Sequence, residues 1–327
     1  METGSWQMLL FALVSLFVWP ANRWLKNHRY FEVEGEVRFD GKDVWIGRNR
    51  LPRAEVFWRK RWHQHLLASL REIELADDLP KRLADARSRG FRGGKPDSIW
   101  VGLNDGEMID FNLASAGPHL LIIGATGTGK SELLRLMVSG WARQIAPVQL
   151  TLIDFKGGAT LSRFASNPRV VALATDLAST DALAIAATLE RQLISRQELL
   201  AAVSASSIES AQSNGADLER QIIVIDELGE LIRQHPRLTQ VLEQIAARGR
   251  SLGMHLVVTN QSMAGITRSL LVNLRARVAI GEMDPIDLSQ LGFKSRHSPL
   301  PKRQDWRDAR LKTGDGFELN FAFPIGF

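Results

Sequence analysis

One octapeptide constrains this chain more than any other feature. Gly124-Ala125-Thr126-Gly127-Thr128-Gly129-Lys130-Ser131 satisfies the whole pattern G-x-x-x-x-G-K-[ST]. An apolar run, His119 to Ile123, leads into it, and a helical pattern, Glu132 to Arg143, leads out. A strand that turns through glycines into a helix is a cradle for phosphate. Glycines let successive backbone N–H groups face one anion, and the helix N-terminus adds its positive end. These eight residues, with Glu132, are therefore expected to bind a nucleotide. Lys130 would reach the β- and γ-phosphates, and Ser131 would sit on Mg2+. ATP and Mg2+ are the implied cofactors.

About 95 residues downstream, Ile222-Ile223-Val224-Ile225 ends in Asp226-Glu227. Four apolar residues suit a parallel strand buried on both faces. Ligands of doubly wound sheets bind at the carboxyl ends of such strands. Asp226 is expected to hold the metal and Glu227 to polarise the attacking water, from a strand neighbouring that of the loop. A third stretch runs from Ile245 through Arg248-Gly249-Arg250 to Gly253-Met254-His255 and on to Asn260-Gln261. An arginine at a subunit edge can neutralise a neighbour's γ-phosphate. On spacing alone, two arginines at a helix C-terminus read first as surface residues that suit the negative end of the helix dipole. Gln261, at the end of the next strand, is placed to sense phosphate.

From Ser98 onward apolar strand runs alternate with helical patterns. Strands are expected at His119–Ile123, 149–153, 170–174, 222–225, 255–259, 277–280 and 317–323, with long helices at 178–203 and 238–250. Asn104-Asp105-Gly106 between two short apolar runs signals a hairpin. Repeated βα units predict an α/β fold, a mostly parallel sheet flanked by helices. This unit spans 98–327.

The preceding third differs in character. Residues 3–22 carry no charge, and twenty helical residues reach about 30 Å, enough to cross a bilayer core. Trp6 and Trp19 sit at the interfacial positions, and Arg23, Lys26 and Arg29 follow, so the expected span leaves the rest of the chain on the cytoplasmic face of the cell membrane. Residues 23–97 read as a small basic α+β region. Alternating apolar residues from Tyr30 to Gly47 predict a β-meander, residues 54–89 a helix broken at Pro80, and 90–96 a linker. Between Pro20 and Trp100 there are 18 Lys and Arg against 12 Asp and Glu, so the net charge of +5 resides here and not in the α/β unit. The run Arg59-Lys60-Arg61 beside Trp58 and Trp62 suits anionic lipid or DNA backbone, or a solvated face. The absence of cysteine excludes disulfides, Cys-ligated zinc, iron–sulfur clusters and thiol nucleophiles.

The region from Gly102 to about Phe323 resembles the motor domain of FtsK/SpoIIIE translocases. The resemblance is carried by Pro118-His119-Leu120-Leu121-Ile122, GATGTGKSE, Leu152-Ile153-Asp154-Phe155-Lys156-Gly157-Gly158, IIVIDELGEL, AARGRSLGMHLVVTNQ, and Asn273 followed by Arg277. It implies a RecA-like fold and a hexameric ring around double-stranded DNA, with ATP between subunits. It also implies Arg250 as the arginine finger, Arg248 as its reserve, and Asp154 and Lys156 near the nucleotide. Two places where family translocases carry DNA-facing bases hold Ser262 and Leu271, and the nearest base is Arg268. No winged-helix module is expected in the few residues after the last expected strand. The resulting expectation is a membrane-tethered DNA translocase like those of conjugative elements. The alternatives are a protein-export ATPase of the type VII secretion kind, which Asp-Phe-Lys-Gly-Gly also resembles, a chromosome-segregation pump, or a nucleotide-binding scaffold without turnover.

Overall fold

The computed structural model describes residues 37–40, 43–46, 49–50, 83–104, 107–155, 157–175, 179–294 and 305–326. The chain divides into two compact units, Met1–Leu79 and Pro80–Phe327. In the first, β1 (Val37–Asp40), β2 (Asp43–Ile46) and β3 (Asn49–Arg50) form an antiparallel sheet. The expected membrane span at 3–22 lies outside the described residues, as does the Arg59–Arg61 run. No helix among the described residues is long and apolar enough to cross a membrane.

The second unit is built on ten strands in the order β5-β4-β13-β12-β11-β6-β10-β9-β7-β8. β6 (Leu120–Ile123), β7 (Val148–Asp154), β8 (Val170–Thr175), β9 (Arg220–Asp226), β10 (Met254–Asn260) and β11 (Ala276–Ile280) pair in parallel. β4 (Ile99–Asn104), β5 (Glu107–Phe111), β12 (Trp306–Lys312) and β13 (Glu318–Pro324) extend it antiparallel. All four residues of β6 are fully buried, as a central parallel strand covered on both faces requires. β4 and β5 are the expected hairpin.

Helices cover both faces. α1 (Leu113–Ala116) is a single turn, and α2 (Lys130–Trp141) packs on β4 and β13. α3 (Ser179–Ala202) and α6 (Pro236–Leu252) pack together, and α6 lies on β10. α6 shows why these residues form a helix. Pro236 sits at its first position, Gly253 closes it in a left-handed conformation, and Leu238, Val241, Leu242, Ile245, Ala246, Gly249 and Leu252 make one buried stripe. Each large apolar side chain in that stripe contributes about 1.5–3 kcal/mol by leaving water. α4 (Ile208–Ser213), α5 (Leu228–Gln234), α7 (Arg268–Asn273) and α8 (Pro285–Gln290) are short connectors.

The stretch read as a linker is folded onto this unit. Phe91 is buried and stacks on Trp100 with ring centroids 5.9 Å apart, and Arg92 bridges to Ile99. β12 was not legible as a strand, because charged residues interrupt its apolar run. One of them, Arg310, is buried with its guanidinium 4.6 Å from the Phe293 ring centroid and within 3.8 Å of Glu318.

Candidate active site

The octapeptide leaves β6 at Gly124 and enters α2 at Lys130. Gly127 and Gly129 take φ of +81° and +106°, where a side chain would be strained. A Cβ placed on Gly127 would meet nothing within 4 Å, so the crown of the loop is open. A Cβ on Gly129 would lie 3.2 Å from Arg307 Cγ and from Phe323 Cζ, so β12 and β13 wall the loop on one side. Lys130 is buried, and its Nζ donates to the carbonyls of Gly124 (2.5 Å) and Ala125 (3.0 Å). The ammonium is thus held within the curl of the loop.

Asp226 does not come from the neighbouring strand. β10 lies between β6 and β9, which corrects the adjacency expected from sequence. The gap is bridged by side chains. Asp226 is fully buried. Its Oδ1 accepts from Thr259 Oγ1 of β10 at 2.5 Å, and its Oδ2 accepts from Thr160 Oγ1 at 2.8 Å and Ser131 Oγ at 3.3 Å. A buried carboxylate is tolerated only with such partners. Thr160 and Thr259 were not singled out as site residues from sequence, since a lone threonine at a strand end carries no signal. Asp154 sits in register with Asp226 across β7 and β9, and its Oδ2 accepts the amides of Thr160 (2.9 Å) and Leu161 (3.1 Å). It pins the segment that delivers Thr160 to Asp226. Lys156 lies outside the described residues.

Glu227 adopts φ +69° and ψ +66°, a left-handed conformation rare for residues other than glycine. Such strain costs on the order of 1–3 kcal/mol and clusters at functional sites. In a continuing strand residues 226 and 227 would project to opposite faces, and the turn breaks that alternation. The Glu227 amide donates to Thr259 Oγ1 at 3.0 Å, so one hydroxyl organises both carboxylate residues. Gln261 reaches the loop from the end of β10, its Oε1 accepting from Thr126 Oγ1 at 3.3 Å. Asn260, just before it, accepts the Gly229 amide at 3.0 Å and donates to the Ser262 carbonyl at 2.7 Å, tying α5 to the loop that holds Gln261.

Glu132 is turned toward its own surroundings. Its carboxylate pairs with Arg135 and accepts the Gly326 amide at 3.3 Å. Arg248 and Arg250 are exposed on α6, and neither guanidinium has a hydrogen bond or ion pair among the described residues. The structure therefore gathers Lys130, Ser131, Asp226 and Gln261 around the loop, places Glu227 beside Asp226, and leaves both arginines on the surface.

A model of the FtsK/SpoIIIE family matches residues 96–280. The chain belongs to the FtsK/SpoIIIE family. The ESX-4 secretion system protein EccC4 of Mycobacterium tuberculosis is 35% identical over 262 residues, covering 71% of this chain and 21% of that protein. The Type VII secretion system protein EssC of Staphylococcus aureus is 29% identical over 184 residues, covering 54% of this chain and 12% of EssC. The chain thus spans about a fifth or less of the length of these two relatives. Among solved structures, the cytoplasmic domain of the Thermomonospora curvata Type VII secretion ATPase EccC matches with a TM-score of 0.58 at 28% identity, over 72% of this chain and 30% of that one. The pCW3 conjugation coupling protein TcpA, in monomer form with ATPγS, matches with a TM-score of 0.58 at 21% identity, over 72% and 68%. The RecA-like fold is common to this chain and to both of these structures.

This FtsK/SpoIIIE chain is a P-loop ATPase. Its donor set also fits Mg2+, a hard cation that takes oxygen ligands and needs few from protein. Ser131 Oγ and Asp226 Oδ2, 3.3 Å apart, are such a pair. Among the described residues no group of three or more His, Cys, Asp or Glu could hold a metal by itself.

Proposed function

We propose that this ATPase is a ring motor that works at a membrane on polypeptide, as part of an export machine of the type VII kind. The choice of substrate rests on one observation. The two positions where family DNA translocases carry bases hold Ser262, whose carbonyl accepts from Asn260 Nδ2 at 2.7 Å, and Leu271, which packs against the hydrophobic core. Neither carries the positive charge that those bases bring to the phosphates. The 35% identity with EccC4 supports the same reading. Duplex DNA is the second reading, favoured by the TcpA match, which extends over two thirds of each chain.

The geometry supports the following roles. Lys130 would bind the β- and γ-phosphates, the backbone amides of Gly124–Ser131 would cradle them, and Ser131 and Asp226 would hold the cation. Bound Mg2+ would neutralise charge developing on the phosphates. Glu227 takes a proton from the attacking water, and Gln261 couples the end of β10 to the phosphate loop. Arg250 completes the site of an adjacent subunit, which requires a closed ring, taken as a hexamer. Residues 3–22 tether the ring, with the motor on the cytoplasmic side.

ATP turnover of the full chain, measured with duplex DNA and separately with polypeptide substrates of type VII systems, tests the reading. Stimulation by polypeptide alone supports it. Stimulation by duplex DNA that fades as salt rises would sink it in favour of a DNA translocase.

A further inference from the structure

One cavity of the second unit is remote from the phosphate loop. It encloses about 970 Å3, and Arg87, Arg89, Arg92, Arg143 and Arg163 line it with no carboxylate among its lining residues. Arg89 is the one of the five with an acidic partner among the described residues, Asp85 at 2.6 Å. Arg87 and Arg143 have no side-chain hydrogen bond or ion pair there, and Arg163 has only the face of Phe164, 6.0 Å away. Five guanidiniums sharing one cavity repel each other unless an anion joins them.

The arrangement is built. Gly90 takes φ +63° and Phe91 φ +59°, two left-handed residues in succession. A Cβ on Gly90 would lie 2.3 Å from Arg143 Cδ, so the glycine is what lets the Arg143 stem lie against this turn. Arg143 follows the C-terminal end of α2, twelve residues and about 18 Å of helix away from the phosphate loop at the other end. The cavity and the ATP site are therefore separate anion-attracting regions at opposite ends of one helix.

We propose that this cavity is a second anion site and takes a group bearing clustered phosphates, either the headgroup of an anionic phospholipid or a soluble polyphosphate. Guanidinium forks bind phosphate oxygens two at a time, which favours phosphate over a single carboxylate. The volume is at the upper end for small-molecule sites, more than one orthophosphate fills. The cavity also lies where the chain enters the unit, since residues 87–92 follow directly on its first residues.

The test is calorimetric titration of the full chain in detergent micelles with inorganic tripolyphosphate. The ATP loop is first saturated with Mg2+ and a non-hydrolysable ATP analogue. Saturable binding of one tripolyphosphate per chain is expected. Arg143→Gln with Arg163→Gln should weaken it at least tenfold, Arg163→Lys should weaken it less, and basal ATP turnover and Tm should not change. Phosphatidylcholine vesicles containing phosphatidylglycerol that displace tripolyphosphate, where pure phosphatidylcholine does not, assign the site to lipid. Displacement by neither assigns it to a soluble anion. The proposal is overturned by absent binding, by binding indifferent to the arginine changes, or by arginine changes that weaken duplex DNA binding alone.

Discussion

Asp226 is fully buried and held by three hydroxyls, whereas Arg250 stands exposed on α6 with no side-chain partner among the described residues. With Arg250 in its proposed role toward a neighbouring subunit, the contrast separates two ways of making a catalytic group. A group that meets the nucleotide of its own chain can be pre-organised during folding, with its desolvation offset by hydroxyl donors. A group that meets a neighbour's nucleotide must be left on the surface and ordered by assembly. The arginines nevertheless stand on a fixed backbone. A Cβ on Gly249, between them, would lie 2.3 Å from the Met254 carbonyl, so glycine lets the end of α6 close against β10.

The comparison can be broken most strongly at Lys130. Lys130→Ala should reduce ATP turnover by about four orders of magnitude and weaken nucleotide binding, because the loop loses its buried ammonium. Phosphate release and a nucleotide titration at unchanged Tm measure this, and retained turnover would remove the loop from the chemistry. Arg250→Ala should lower turnover by about 10³-fold in the assembled protein yet leave nucleotide affinity of dilute monomer unchanged. Arg248→Ala should cost less than about tenfold on the same scale, and the reverse order would make Arg248 the residue acting in trans.

Smaller changes probe the bridge between strands. Thr259→Val removes the hydroxyl that serves both Asp226 and the Glu227 amide, and should lower turnover about tenfold and stability by about 1–3 kcal/mol. Denaturant titration beside the activity assay reads both, and an unchanged midpoint would mean that the Thr259 hydroxyl does not hold Asp226.

The N-terminal ends of the central strands β6 and β10 carry an effect confined to acid pH. Burial, reinforced by the nearby His255, lowers the pKa of His119 to about 3, and burial lowers that of His255 to about 4. The Leu256 amide donates to His119 Nδ1 at 3.0 Å, which fixes a neutral ring. Both folded values lie below the ordinary 6.5, so the stability these rings contribute is full above about pH 6.5. It declines as pH falls toward 4 and then 3, by about 1.4 kcal/mol per histidine per pH unit. His255→Gln should flatten that decline between pH 6 and 4.5 in urea titrations, and an unaltered slope would place the acid sensitivity elsewhere.

Much of the site was legible because its parts are contiguous in the chain. The octapeptide is one strand–turn–helix, so composition and spacing alone fix the cradle, Lys130 and Ser131. Four buried aliphatics before Asp226 likewise announce a strand end. The strand order was not legible, because β10 follows β9 in sequence yet inserts between β9 and β6. For the same reason Thr160 and Thr259 escaped notice, being ordinary threonines until register brings them to Asp226. Glu132 shows another side of this: its place in the motif suggested the nucleotide, and only packing showed its carboxylate beside Arg135 and the Gly326 amide.

By itself the sequence determined the α/β class, the phosphate loop and the identity of the acids, since each depends on short-range backbone geometry and on the polarity of successive residues. Tertiary structure alone decided which hydroxyls hold Asp226, which loop Gln261 touches and where five arginines converge. Those outcomes depend on strand order and helix docking, where residues distant in the chain meet only after the whole sheet has chosen its register.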